Sequence, residues 1–190
     1  MKPLGRQPLS MPLGEALAKR RSIRSFLPRP LTNDELGALL WAAQGITDST
    51  LGLRVTPSSG AAYPNTIYAF TAEGVFRYDP AAHALEKLAD DDRRPLVAAA
   101  CHGQRFIATA PLVAAIAGEH KPITPDFDDR STLYMILEAG HAAQNFLLAA
   151  AALNLGAVPI GAFSDETLTQ NLGLGGAQTP MYILCAGAIG

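Results

Sequence analysis

In the segment Arg20-Arg21-Ser22-Ile23-Arg24-Ser25-Phe26, three guanidinium groups and two hydroxyls crowd the end of a short amphipathic stretch. Guanidinium forks match phosphate oxygens bidentately, and a serine hydroxyl adds another direction of approach without bulk. Such a cluster suits a dianion held from several sides. One charge pair about 4 Å apart near a protein surface is worth on the order of 4 kcal/mol before desolvation is subtracted. A plainer role is also open to these residues: basic side chains at a helix C-terminus complement the macrodipole and stay solvated. Two further stretches stand out. Thr56 to Asn65 is dense in turn-forming residues that present unpaired backbone N–H groups, and Pro159-Ile160-Gly161-Ala162 follows a long apolar segment.

The common chemical signatures are absent. The chain has no GxGxxG after a strand, no Walker loop, no GxSxG, and no His or Cys pair at zinc spacing. No metal site is therefore expected. The histidines at 83, 102, 120 and 141 share no motif, and a catalytic function needs a constellation. No residue is assigned as catalytic; Tyr63, Tyr134 and His141 are the only candidates for a general acid.

The elements that must carry these stretches read as follows. Leu13 to Arg20 is a short helix with the basic cluster at its end, and Pro28 and Pro30 then force an extended connection. Thr32-Asn33-Asp34-Glu35 is a capping-box pattern opening a helix that runs to Gly45, with Trp41 and Gln44 on or near its buried edge. Ile67 to Thr71, Val75 to Tyr78, Leu85 to Leu88 and Leu112 to Ala117 read as strands, the second and third paired through a turn at Asp79-Pro80. A helix is expected over Asp90 to His102, with three acids at its start. From about Asp129 to Leu155 the sequence reads as one long helix with Gly156 in the left-handed cap position. Its one polar stripe is Glu138, His141 and Gln144 or Asn145; a helix so apolar should be buried all round, in a core or a subunit interface. Val158 to Phe163, a helix from Ser164 to about Leu172, a glycine-rich turn and a strand from Met181 to Ala186 complete the chain.

Composition sets the outer limits. The chain has 190 residues, 48% hydrophobic and 17% charged, which suits one globular domain over 1–190, and no linker divides it. A net charge of -2 argues against nucleic acid as the main partner, which would call for a basic excess. Cys101 and Cys185, far apart and without ligand spacing, look like buried apolar residues of a reducing compartment. Met1 to Ser10 has no apolar core, and the longest apolar run is far short of the roughly 20 residues that cross a bilayer. A cytoplasmic protein without a membrane anchor is expected.

In order and spacing, the arginine cluster, the Pro57-Ser58-Ser59-Gly60 loop and Pro159 to Ala162 resemble the FMN-dependent nitroreductase family over nearly the whole chain. Leu39 to Thr47, Pro57 to Pro64 and Glu138 to Asn145 are similar in particular to the branch of thiazoline and oxazoline dehydrogenases. The resemblance implies an α+β fold, a mostly antiparallel sheet wrapped by helices, dimerised along the long central helix with FMN at the interface of the homodimer. It implies that Arg20 and Ser22 hold the FMN phosphate, Arg21 assists, and Arg24 reaches the pyrimidine edge of the ring. A cation there stabilises the negative charge that collects on reduction. Pro57, Ser58 and Ser59 would cover the flavin from the partner subunit. Pro159, Ile160 and Gly161 would run along the other edge, with the Gly161 N–H near N5.

The implied activity is an oxidoreductase passing hydride from NAD(P)H to a nitroaromatic, quinone or similar acceptor in a ping-pong cycle. Two other readings go with it: an azoline-type dehydrogenase of peptide-derived substrates, and a non-catalytic flavin-binding or partner subunit. The chain departs from the family in three ways. Ala61, Tyr63 and Asn65 stand where many members have Asn, Gln and Trp. No basic residue follows Met181, and the adjacent Lys-Tyr pair of the azoline dehydrogenases is absent.

Overall fold

The computed structural model describes residues 1–119, 130–172 and 178–190. The apolar runs 112–117 and 181–186 lie in inner strands of a sheet. Among the described residues, β1 (Lys2–Pro3), β6 (Ala84–Ala89), β5 (Gly74–Asp79), β4 (Asn65–Thr71), β7 (Leu112–Glu119), β9 (Gln178–Ala188) and β8 (Leu155–Ile160) lie side by side in that order. Each neighbouring pair is antiparallel. A small hairpin of β2 (Ile46–Asp48) and β3 (Leu53–Arg54) stands apart.

The central strands read as continuous apolar segments because both faces of the sheet are covered. On β4, Ile67 and Ala69 pack with α2 (Asn33–Gln44) and α5 (Ser131–Ala152). Tyr68 and Phe70, pointing the other way, pack with α3 (Arg94–Ala100), α4 (Arg105–Thr109) and α6 (Asp165–Leu172). Strand β7 divides likewise, Leu112, Ala114 and Ile116 on one side, Val113, Ala115 and Ala117 on the other. Each fully buried Leu, Ile or Phe contributes about 1.5–3 kcal/mol, so the two layers hold the sheet from both sides. The fold is α+β, an antiparallel sheet wrapped by helices, as the resemblance implied.

Helix α2 begins as its sequence dictates. Thr32 Oγ1 accepts from the Glu35 N–H at 3.1 Å, and the Thr32 N–H donates to Glu35 Oε2 at 2.8 Å, closing the capping box. Its end at Gly45 follows from packing: a Cβ there would lie 2.1 Å from Trp41 Cδ1. Helix α1 (Leu13–Lys19) is likewise where expected.

Other expectations are corrected. The helix expected over Asp90 to His102 spans only Arg94 to Ala100, because Pro95 suits the first turn and the three acids fall ahead of it. Asp92 Oδ1 accepts from the Arg94 N–H at 3.1 Å instead. The expected start of the long helix at Asp129 lies outside the described residues, as does most of the glycine-rich turn before β9. The long helix ends at Ala152, and Asn154, with φ +55°, takes the left-handed position. Gly156 is instead buried in β8, where a Cβ would meet Ile189 at 2.6 Å and Ile23 at 2.9 Å.

Helix α5 is not buried all round within one chain. Met135, Ala139, Ala142, Ala143 and Phe146 face the core, whereas Leu133, Ile136 and Leu137 are 41%, 51% and 48% exposed. A helix lying on a sheet covers one side only. The short β1, β2, β3 and α4 were not anticipated; none is long enough to show a periodicity.

Candidate functional site

Helix α1 ends at Lys19, and the chain leaves it extended along the outer edge of β8. The Ile23 N–H donates to the Ala157 carbonyl at 3.0 Å, and Ser22 bridges Ala157 in parallel register. This edge is open because β8 closes the sheet. The basic cluster is thus fixed to the strand that ends in Pro159 and Ile160, just before Gly161. Gly161 lies four residues beyond Ala157, about 13 Å along an antiparallel strand.

The four candidate residues of the basic cluster differ. Arg21 Nη1 donates to the Ala18 carbonyl at 3.0 Å and the Arg20 carbonyl at 2.7 Å, so its guanidinium is folded onto its own backbone. Arg20 and Arg24 have neither a hydrogen bond nor an ion pair to their side chains among the described residues. The nearby acid Glu15 is taken by Lys19 at 2.7 Å. Arg20 and Arg21 line a cavity of about 260 Å³ with Ile23, Leu147, Asn154 and Ala157, while Ser22 and Arg24 are exposed beside it. Cations without carboxylate partners, next to a hydroxyl, are a donor set that fits a phosphomonoester.

Gly161 opens into a second cavity, of about 620 Å³, walled by Ile136, Ala139, Phe163, Met181 and Tyr182. A Cβ at Gly161 would find Tyr182 at 3.7 Å and nothing closer, so its backbone is approachable. Both cavities lie along α5, the first at Leu147 and Ala151, the second at Ile136 and Gly140. Phosphate donors and an apolar slot on one strand edge fit the two ends of FMN.

The third stretch lies elsewhere. Pro57 to Ser59 precede β4, whose Asn65 is opposite Gly118, itself opposite Thr179. The loop therefore reaches the sheet at the end where Thr179 and Gly161 lie, yet among the described residues it lines neither cavity. It is anchored from behind. Thr56 Oγ1 donates to the Ala43 carbonyl at 2.6 Å and accepts from Asn145 Nδ2 at 3.2 Å, and Ser58 Oγ accepts from the Tyr63 N–H at 3.0 Å. Three residues have left-handed backbone, Gly60 (φ +58°), Ala61 (+53°) and Tyr63 (+46°).

Behind the loop lies a buried polar network that the sequence did not single out. Glu138 Oε1 accepts from Gln44 Nε2 at 3.0 Å and from Asn65 Nδ2 at 3.2 Å, and Gln44 Oε1 accepts from Arg54 Nη1 at 3.0 Å. Burial pulls the Arg54 guanidinium below its ordinary pKa, and the charge of Glu138 pushes it back up. The signal available was Glu138 on an otherwise apolar helix face. As for the general-acid candidates, the Tyr63 hydroxyl accepts from the Arg54 N–H at 3.0 Å, Tyr134 lies under Arg130 at 5.5 Å, and His141 is exposed. Among the described residues no cluster of His, Cys, Asp or Glu could hold a metal, and no helix is long and apolar enough to cross a membrane.

Comparison with known proteins agrees with this architecture. The model of the nitroreductase family matches residues 17–188. A protein of Methanocaldococcus jannaschii that carries a nitroreductase name is 38% identical over 181 residues, 92% of this chain and 90% of its own. A Ralstonia eutropha crystal structure, also under a nitroreductase name, superposes with a TM-score of 0.86 at 30% identity over 100% of this chain and 88% of that one. The NADPH:FMN oxidoreductase of Vibrio harveyi, solved with NAD+, shares the fold with a TM-score of 0.70 at 23% identity, over 93% of this chain and 68% of its own. The class is thus an α+β oxidoreductase fold with its candidate site on the edge of the sheet. The chain belongs to the nitroreductase family and is an oxidoreductase of that family.

Proposed function

We propose that this chain is a single-domain, cytoplasmic, FMN-dependent oxidoreductase that takes hydride from NAD(P)H and reduces a nitroaromatic, quinone or similar acceptor in a ping-pong cycle. FMN, when bound, supplies the two-electron chemistry. Arg20 and the Ser22 hydroxyl hold its phosphate, Arg21 assists from its folded position, and Arg24 reaches the pyrimidine edge of the ring. Pro159, Ile160 and Gly161 flank the ring, beside the apolar side chains of Ile136, Phe163 and Tyr182. The observation that carries this reading is the pair of guanidinium groups, without partners among the described residues, fixed to the strand that ends just before Gly161.

A second copy of the chain completes the site. The open face of α5 with Leu133, Ile136 and Leu137 is apolar, and Pro57, Ser58 and Ser59 sit apart from the β8 edge of their own chain. Both facts support a homodimer in which the loop meets the partner's flavin. The azoline-dehydrogenase alternative draws on one observation: the three stretches that resemble that branch meet in one network, Gln44 bonded to Glu138 and Arg54 bonded to both Gln44 and Tyr63.

The test is titration of flavin-free protein with FMN and with riboflavin, which lacks the phosphate. Binding of FMN at least about ten-fold tighter is expected from charge-assisted hydrogen bonds of roughly 1.5–3 kcal/mol each. Equal affinities contradict the phosphate assignment.

A further inference from the structure

Glu138 is 2% exposed, and its Oε2 has no hydrogen-bond partner among the described residues. Such a carboxylate is costly unless its placement does something else. A carboxylate only accepts, so Gln44 must turn its NH₂ toward Glu138 and its carbonyl outward. That carbonyl receives Arg54 Nη1 at 3.0 Å. The Arg54 guanidinium lies 4.5 Å above the Tyr63 ring, the Arg54 N–H donates to the Tyr63 hydroxyl at 3.0 Å, and the Tyr63 N–H donates to Ser58 Oγ at 3.0 Å. The relay runs from the middle of α5 into the loop. It ends where the backbone is strained, at Ala61 and Tyr63, both left-handed without being glycine. Such residues cost of order 1–3 kcal/mol each and persist only when their surroundings hold them.

We propose that Glu138 is a positioning residue: by dictating which way the Gln44 amide faces, it seats Arg54 against Tyr63 and so sets the Pro57–Ser59 loop. The proposal rests on the reading that this loop serves the flavin site. It assigns Glu138 no contact with cofactor or substrate.

Glu138→Gln separates charge and polarity from packing. The new amide keeps an acceptor for Gln44 and Asn65. It also offers the Gln44 carbonyl a donor that competes with Arg54. Hydrogen exchange on the flavin-free protein reads the result. Amides in 54–63 should exchange at least about ten-fold faster in E138Q, while those of α2, β4 and β7 keep wild-type protection. Arg54→Gln should give the same local loosening, and the double variant no more than the larger single effect, since both act through one relay. Wild-type exchange in the loop, a uniform rise across helices and sheet, or additive effects would each overturn the proposal. Titration with FMN keeps the two readings apart. A wild-type chain that takes up no FMN overturns the cofactor reading and the loop's purpose with it. Unchanged FMN affinity and flavin spectrum in E138Q overturn the positioning role alone.

Discussion

Ser22 and Ala157 lie side by side in parallel register on the free edge of β8, tied by the Ile23 N–H to the Ala157 carbonyl at 3.0 Å. That bond joins the basic cluster to the strand that ends at the candidate ring site. Arg20→Ala should therefore weaken FMN by about 10- to 100-fold, the equivalent of one charge-assisted hydrogen bond, and leave riboflavin affinity unchanged. Arg21→Ala should do less, because its guanidinium already serves two backbone carbonyls. Fluorescence titration with both ligands measures the difference; equal losses for FMN and riboflavin would move the phosphate elsewhere.

The start of α2 should make stability depend on pH. Hydrogen bonding from Arg29, at 2.8 and 2.9 Å, is the main reason the Glu35 carboxyl is held below its ordinary pKa; burial opposes it, and the Thr32 N–H assists. A carboxyl with a lowered folded pKa stabilises the fold above the ordinary carboxylate range, and that contribution is lost as pH falls through the folded value. Glu35→Gln should lower the melting temperature at neutral pH, with the deficit shrinking in acid, whereas Thr32→Ala should cost about 1 kcal/mol. Melting curves across pH check both, and a Glu35→Gln deficit constant down to strong acid would contradict the ion pair's role.

Gly37 sits inside α2, where alanine would ordinarily gain about 1 kcal/mol. Here a Cβ would lie 1.8 Å from the Gly5 carbonyl oxygen and 3.1 Å from Leu4 Cβ. The clash outweighs the propensity. Gly37→Ala should release residues 1–7 from the sheet edge and lower the melting temperature, visible as new rapid exchange at the Leu4 N–H, which now donates to the His83 carbonyl at 3.0 Å. Retained protection there would show that the helix shifts instead.

Both cysteines should be inert in the folded chain. Cys101 and Cys185 are free and fully buried; burial pushes the Cys101 thiol up to about 11 and the Cys185 thiol further still. Since the thiolate is the reacting form, a thiol reagent should label neither before unfolding and both after it. Labelling of the native protein at a rate near that of a free thiol would contradict the packing of this layer.

What the sequence revealed of the fold were the features with strong local causes. The Thr32–Glu35 box, the helix of Asp165–Leu172 and the apolar inner strands are encoded in caps and runs. Gly156 misled because a glycine after a helix usually marks its cap, whereas here close approach of Ile23 and Ile189 requires it and Asn154 makes the turn. The basic cluster and Pro159 to Gly161 could be named from composition and resemblance, but their common strand edge depends on a bridge across more than a hundred residues. Glu138 was noticed only as part of a polar stripe. Its partners Gln44 and Asn65 lie 94 and 73 residues away, and no local pattern announces such a pairing.

The most direct measurement is the visible flavin spectrum of the FMN-loaded protein, followed without air as NADPH or NADH is added and then a quinone or nitroaromatic. The expected result is bleaching by a nicotinamide and recovery of the oxidised spectrum on adding the acceptor. A flavin that stays oxidised with both nicotinamides would contradict the proposed reaction and favour a donor of another kind, such as a peptide-derived azoline.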